Sequence, residues 1–230
     1  MKKPILFLFS SLLFAGPPMK SSDPFVPELG QFEINIAVEG EYNKNQFFRA
    51  PIIDLNYGII KNVQITLETA YVISQEKSEY IDDFDSFELA LKWCFYEGDR
   101  FAIAFYPKFK SYPIDSIFNS GETYEIDIPM NFALSDKVDF VFDTAYIMPK
   151  DGLDHFEFGT YMKYKNELHT YYAELFLENV GSEEETFTLG GLGYMYQFHK
   201  NIAFMISCGR ELSSNNKKST VGYSGLQFVF

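Results

Sequence analysis

The stretch Ile52 to Ile73, IIDLNYGIIKNVQITLETAYVI, alternates apolar and polar residues on both sides of a short break, and this period of two constrains the fold more than any other feature. Ile53, Leu55, Tyr57 and Ile59 alternate with Asp54, Asn56 and Gly58; Val63, Ile65 and Leu67 alternate with Gln64, Thr66 and Glu68. For both apolar sets to share a face, the connection needs an odd number of residues, and Ile60-Lys61-Asn62 supplies it with Asn62 in the left-handed position. The register then pairs residues whose numbers sum to 122, opposing Leu55 to Leu67 and Asp54 to Glu68. Two opposed carboxylates are destabilising on a packed surface, so that face is expected to meet water, a cation or a basic partner. An apolar outside around a wet inside is the pattern of a membrane barrel.

The same alternation continues along the chain. Phe32 to Tyr42 turns Phe32, Ile34, Ile36 and Val38 outward and Glu33, Asn35 and Glu39 inward. Phe87 to Phe95 turns Leu89, Leu91 and Trp93 out and Glu88 and Lys92 in; a Glu97-Gly98-Asp99 turn leads to a strand with Lys108 inward, pairing Glu88 with Lys108. Around a Ser135-Asp136-Lys137 turn, Glu125, Asp127, Asp139 and Asp143 line the inner face, followed by Glu157, Lys163 and Glu174. Gly190-Gly191-Leu192-Gly193 breaks the alternation and suggests a bulge; it is not a nucleotide loop, since no helix or βαβ unit surrounds it. The last strand is Leu226 to Phe230. The count is twelve, the even number expected of a bacterial single-chain barrel, with alternating tight turns and longer loops. The longer loops are expected near 43–49, 74–83, 111–121, 148–154, 179–184 and 211–219. Short turns and both termini are then expected on the periplasmic side. A soluble lipocalin-like barrel would have about eight strands and bury its apolar face inward.

Composition alone would pass for a soluble protein: charged residues are 22 % of 230 and the formal net charge is −13. A membrane strand needs only about 10 residues, of which alternate ones touch lipid. The 25 phenylalanines and 16 tyrosines favour the barrel, because aromatic residues collect at the headgroups. The net charge argues against nucleic acid as a partner. Residues 1–16, two lysines followed by an apolar run too short to span a bilayer, read as a secretory signal peptide. Residues 17–30 are expected to form an extended periplasmic lead-in, too short for a plug domain, and 31–230 a transmembrane β-barrel. Cys94 and Cys208 fall on distant strands and are expected to be free.

The terminal Phe230, preceded by apolar residues at alternate positions, resembles the C-terminal signature that barrel-assembly machinery reads. Tyr57-Gly58, Lys61-Asn62 and Val63 to Leu67 resemble the strand-turn-strand of the transporter-like family of phenol-degradation (meta-cleavage) pathways. The resemblance implies a small outer-membrane channel or transporter embedded in outer-membrane lipid, and leaves the solute open.

The chemistry-bearing residues do not form an enzyme pattern. A barrel enzyme of the outer-membrane phospholipase kind needs a histidine and serine close together, and none of His155, His169 or His199 has a serine two positions along its strand. His155 and Glu157 share a face, but no third metal ligand can be named, so no metal or cofactor is assigned. The functional signal is the inner wall. Glu33, Glu39, Asp54, Glu68, Glu88, Asp127, Asp143, Glu157 and Glu174 outnumber Lys92, Lys108 and Lys163, and a low-dielectric wall focuses such an imbalance to favour cations. The expectation is an all-β, membrane-spanning, up-and-down antiparallel barrel acting as a passive channel for small solutes. The alternative is a non-conducting structural barrel whose loops bind a surface partner.

Overall fold

The computed structural model describes residues 18–42, 46–76, 79–112, 121–180, 186–213 and 218–230. Thirteen strand segments follow in order: β1 (Phe32–Tyr42), β2 (Gln46–Ile60), β3 (Val63–Glu76), β4 (Glu79–Glu97), β5 (Phe101–Tyr112), β6 (Gly121–Asp127), β7 (Met130–Ser135), β8 (Val138–Pro149), β9 (His155–Asn166), β10 (His169–Val180), β11 (Thr186–His199), β12 (Ile202–Glu211) and β13 (Thr220–Val229). The segments β6 and β7 both lie between β5 and β8 and form one stave, so the barrel has twelve. Pro129 divides that stave because it has no N–H for the ladder; its carbonyl still accepts from Ala104 N at 3.0 Å.

The first and last strands close the barrel. Antiparallel pairing runs from Glu33 opposite Val229 to Tyr42 opposite Thr220, and Phe32 and Phe230 exchange backbone hydrogen bonds of 3.1 and 2.9 Å. Closure leaves no edge among the described strands, so each stave is paired on both sides. The side chains invert the order of a soluble domain. Phe32, Trp93 and Ile206 stand 47 %, 50 % and 44 % exposed on the outside, whereas Glu33, Gln64, Asp127 and Gln227 are buried within.

The hairpin register is the one that the alternation predicts: Asp54 opposes Glu68, Leu55 opposes Leu67, and Asn62 takes a φ of 64°. Elsewhere bulges and longer strands change the picture. Glu88 pairs with Lys110, and Lys108 stands opposite Ala90. The chain reverses later than expected, with Gly98 N bonded to Phe101 O, which alone would bring Ser111 opposite Glu88; a bulge between Cys94 and Tyr96 takes one step back, to Lys110. The anticipated bulge at Gly190 to Gly193 does not form; these glycines pair regularly with Tyr172 to Leu175. Strands β2 and β4 extend well into stretches expected as loops around 43–49 and 74–83. Both cysteines are free.

The largest departure concerns the segment before β1. Residues 18–27 run inside the barrel instead of leading away from it, Glu28 to Gly30 turn exposed at its rim, and the expected signal peptide lies outside the described residues. Ser21, Asp23 and Phe25 are buried. Two wall glycines admit the segment: a Cβ on Gly159 would fall 1.9 Å from Ser21 Oγ, and one on Gly58 would fall 2.1 Å from the Glu28 carbonyl oxygen. Gly58 also bonds the segment through Gly30 N to Gly58 O (2.8 Å) and Gly58 N to Gln31 O (3.1 Å).

Neighbouring positions on β12 test the facing. Ile206 faces outward and Ser207 lines the interior. Ile206→Arg is expected to cost about 2–4 kcal/mol in a bilayer, and Ser207→Arg far less. Denaturant titration in lipid vesicles, with the fast-running unheated gel band as the folded signal, measures both. Equal losses would contradict the assigned faces.

Candidate channel lumen

Alternate residues of every stave project inward, so the lumen is a set of rungs, each built from directly opposed side chains. At the end nearer the loops lies a cavity of about 390 Å³. Its wall carries the carboxylates of Glu39, Asp54, Glu68, Glu157, Glu174 and Glu178 against three cations, Lys20, Arg49 and Lys110. A cavity of about 430 Å³ at the turn end is bordered by Phe25, Glu97 to Ala102 and Lys165. The inner segment lies between the two, with Pro18 to Lys20 bordering the first and Phe25 the second. Beside it a narrower space of about 240 Å³ is lined by Asp54, Glu68, Glu88, Lys92 and Lys108.

The inward residues expected from sequence sort into three groups. One holds the segment. Glu174 accepts from Ser21 N (2.9 Å), Ser21 Oγ (2.6 Å) and Lys20 N (3.3 Å), and Asp143 accepts from Ser22 N at 2.8 Å. Lys92 approaches the Phe25 carbonyl at 3.5 Å, and Lys163 sits 5.4 Å over the Phe25 ring. Charge-assisted bonds of this kind are the stronger ones, and a buried carboxylate that lost them would be left unsatisfied.

The second group is neutralised within the wall. Lys108 contacts Glu125 at 2.6 Å and Asp127 at 2.5 Å; Lys110 bridges Glu88 (3.2 Å) and Glu125 (3.1 Å). The third is the cavity pair. Asp54 accepts from the side-chain amides of Asn35 and Asn56, both at 2.9 Å, and Glu68 lies 3.6 Å from Arg49. Arg49 also meets Glu39 at 3.2 Å and Asp85 at 2.8 Å, the latter a charge contact without hydrogen-bond alignment. Glu157 belongs to the loop end of the same cavity.

Several of these partners escape a period-two reading. Arg49 points inward with Asp54 although their separation is odd, because the register shifts between Arg49 and Ile52. Lys110 has the parity of Lys108, so counting one more inward position finds it. Ser21 and Ser22 lie in a segment with no periodicity, and nothing local marks them as lumen residues.

No family model and no curated protein match the chain. Solved structures match its fold. The COG4313 outer membrane channel from Pseudomonas putida F1 superposes with a TM-score of 0.67 at 12 % identity, over 92 % of this chain and 100 % of that one. The KdgM porin in complex with disordered oligogalacturonate gives 0.63 at 12 % identity, over 85 % and 99 %. The NanC porin gives 0.62 at 12 % identity, over 84 % and 98 %. At these identities the likeness establishes the twelve-stranded barrel fold.

Proposed function

We propose that this chain is a bacterial outer-membrane channel for small solutes, with cation preference set by the acidic loop-end cavity and a conducting gap set by the segment 18–30. The observation that carries the reading is the division of a charged, closed lumen into two cavities by that segment. An apolar outer face suits lipid, a polar lumen suits water, and the fold-level likeness to porins and channels agrees. On this reading the tight-turn end faces the periplasm and offers Phe230 to the assembly machinery, while the inner segment begins at Pro18 beside the loop-end cavity. The likeness of Tyr57 to Leu67 to the phenol-pathway transporters supports a transport role without selecting a solute. KdgM is solved with an acidic oligosaccharide; here six carboxylates face three cations in the loop-end cavity, which disfavours a polyanion.

A second reading has its own support. The hydrogen bonds from Ser21 and Ser22 to Glu174 and Asp143 fill mid-lumen space, as a non-conducting barrel that binds a partner through its loops would require. Planar-bilayer recording separates the two. The channel reading expects small steps from the native protein and several-fold larger ones from Gly159→Val, whose side chain displaces Ser21. Silence from both would favour the filled barrel. In a salt gradient, Asp54→Asn combined with Glu68→Gln is expected to move the reversal potential toward anions, since Arg49 loses one of its carboxylate partners; an unmoved potential in a folded variant would remove this pair from selection.

A further inference from the structure

One acidic rung of the lumen differs from the rest. The carboxylates of the other rungs meet cations or donors built into the wall or the inner segment: Arg49 for Glu39, Glu68 and Asp85, Lys108 and Lys110 for Glu88, Glu125 and Asp127, the Asn35 and Asn56 amides for Asp54, and Ser21 for Glu174. Glu157 on β9 and Glu178 on β10 stand directly opposite each other, an arrangement that repels when both are ionised. No hydrogen bond or ion pair with a described residue satisfies Glu157, and Glu178 has only the His155 ring, with Nε2 3.9 Å from Oε1. Among the described residues the flanking strands pair no base with this rung: Ala145 and Ile147 of β8 pair with Glu157 and His155, and Phe187 of β11 pairs with Glu178. Lys110 lines the same cavity but is engaged by Glu88 and Glu125.

His155 completes the rung. It lies one alternation beyond Glu157 on β9, and its Nδ1 is 3.2 Å from the Leu153 carbonyl oxygen. An N–H at Nδ1 donating to that carbonyl puts the free lone pair on Nε2, the atom turned toward Glu178. A carbonyl that accepts from the other ring nitrogen is how proteins orient a metal-binding imidazole. One ligand atom from each of His155, Glu157 and Glu178 lies within 4.8 Å of the other two. Ligand atoms about 2.0–2.2 Å from one tetrahedral ion stand about 3.3–3.6 Å apart, so side-chain rotations that move them by about an ångström close the set.

We propose that His155, Glu157 and Glu178 form a binding site for a transition-series divalent cation, of the zinc or cobalt class, on the lumen wall at the loop end. One imidazole nitrogen with two carboxylates suits such ions, whereas calcium and magnesium take oxygen ligands. The ion replaces the missing wall cation between Glu157 and Glu178 and leaves coordination positions open to the cavity for water or a solute carboxylate. The proposal needs only a folded barrel and is independent of whether the protein conducts.

The test is calorimetric titration of the full-length barrel in detergent with zinc chloride, and separately with calcium chloride, alongside visible absorption on adding cobalt(II). One zinc per barrel is expected, bound at least about tenfold more tightly than calcium. His155→Ala and, separately, Glu157→Gln are each expected to weaken it by about tenfold or more, since even outer-shell changes cost 10- to 100-fold. His199→Ala, at the opposite end where β11 stops, serves as the control and is expected to change nothing. Absent zinc binding, calcium binding as tight as zinc, or full affinity retained in folded His155→Ala and Glu157→Gln would overturn the site.

Discussion

The ladder between β1 and β13 is the interaction on which the rest of the structure depends. Without it the sheet would end in two strands of unpaired N–H and C=O groups, which hydrocarbon cannot satisfy. With it, Phe32 and Phe230 bond each other across the seam, the apolar residues on the outside become an asset, and the polar ones gain an enclosed lumen. The inverted burial follows from closure. Gln227, fully buried on β13, and Asn35, buried on β1, are lumen residues only because the two strands meet.

An enclosed lumen lined by ionisable groups has to satisfy them, and the chain uses three means. Lysines two positions apart on β5 neutralise acids on both neighbouring strands. Arg49 gathers carboxylates from β1, β3 and β4 into one cluster. The segment before β1 offers backbone N–H groups to Glu174 and Asp143. The third means bears on the proposed function, because what satisfies the wall also occupies the lumen. Removing a carboxylate of this kind frees a filler, whereas removing one beside Lys108 exposes a lysine.

The alternation made the barrel and the facing of its inward charges legible, and the Asp54 and Glu68 register followed from one odd-length turn. Bulges erased what it could not carry. The later turn, with one step taken back by the inserted residue at Phe95, moved the partner of Glu88 from Lys108 to Lys110, and the shift beside Pro51 hid Arg49. Gly190 to Gly193 misled in the other direction: glycines that look like a disrupted ladder keep a regular one, and Gly193 instead leaves room for Met19. The inner course of residues 18–30 was illegible because its partners, Glu174 and Asp143, lie more than a hundred residues away and its own sequence has no period.

The central claim is that this segment occupies the lumen and is bound to its wall. Disulfide trapping between Ser21→Cys and Gly159→Cys, with Cys94→Ala and Cys208→Ser removing the native thiols, addresses it most directly. A Cβ at 159 would stand 2.7 Å from Ser21 Cβ, so about an ångström of relaxation brings the pair into disulfide range. The account expects a near-complete cross-link in the folded barrel, reported by mass spectrometry after proteolysis. No cross-link, with both single cysteines readily modified by a bulky water-soluble thiol reagent, would contradict it.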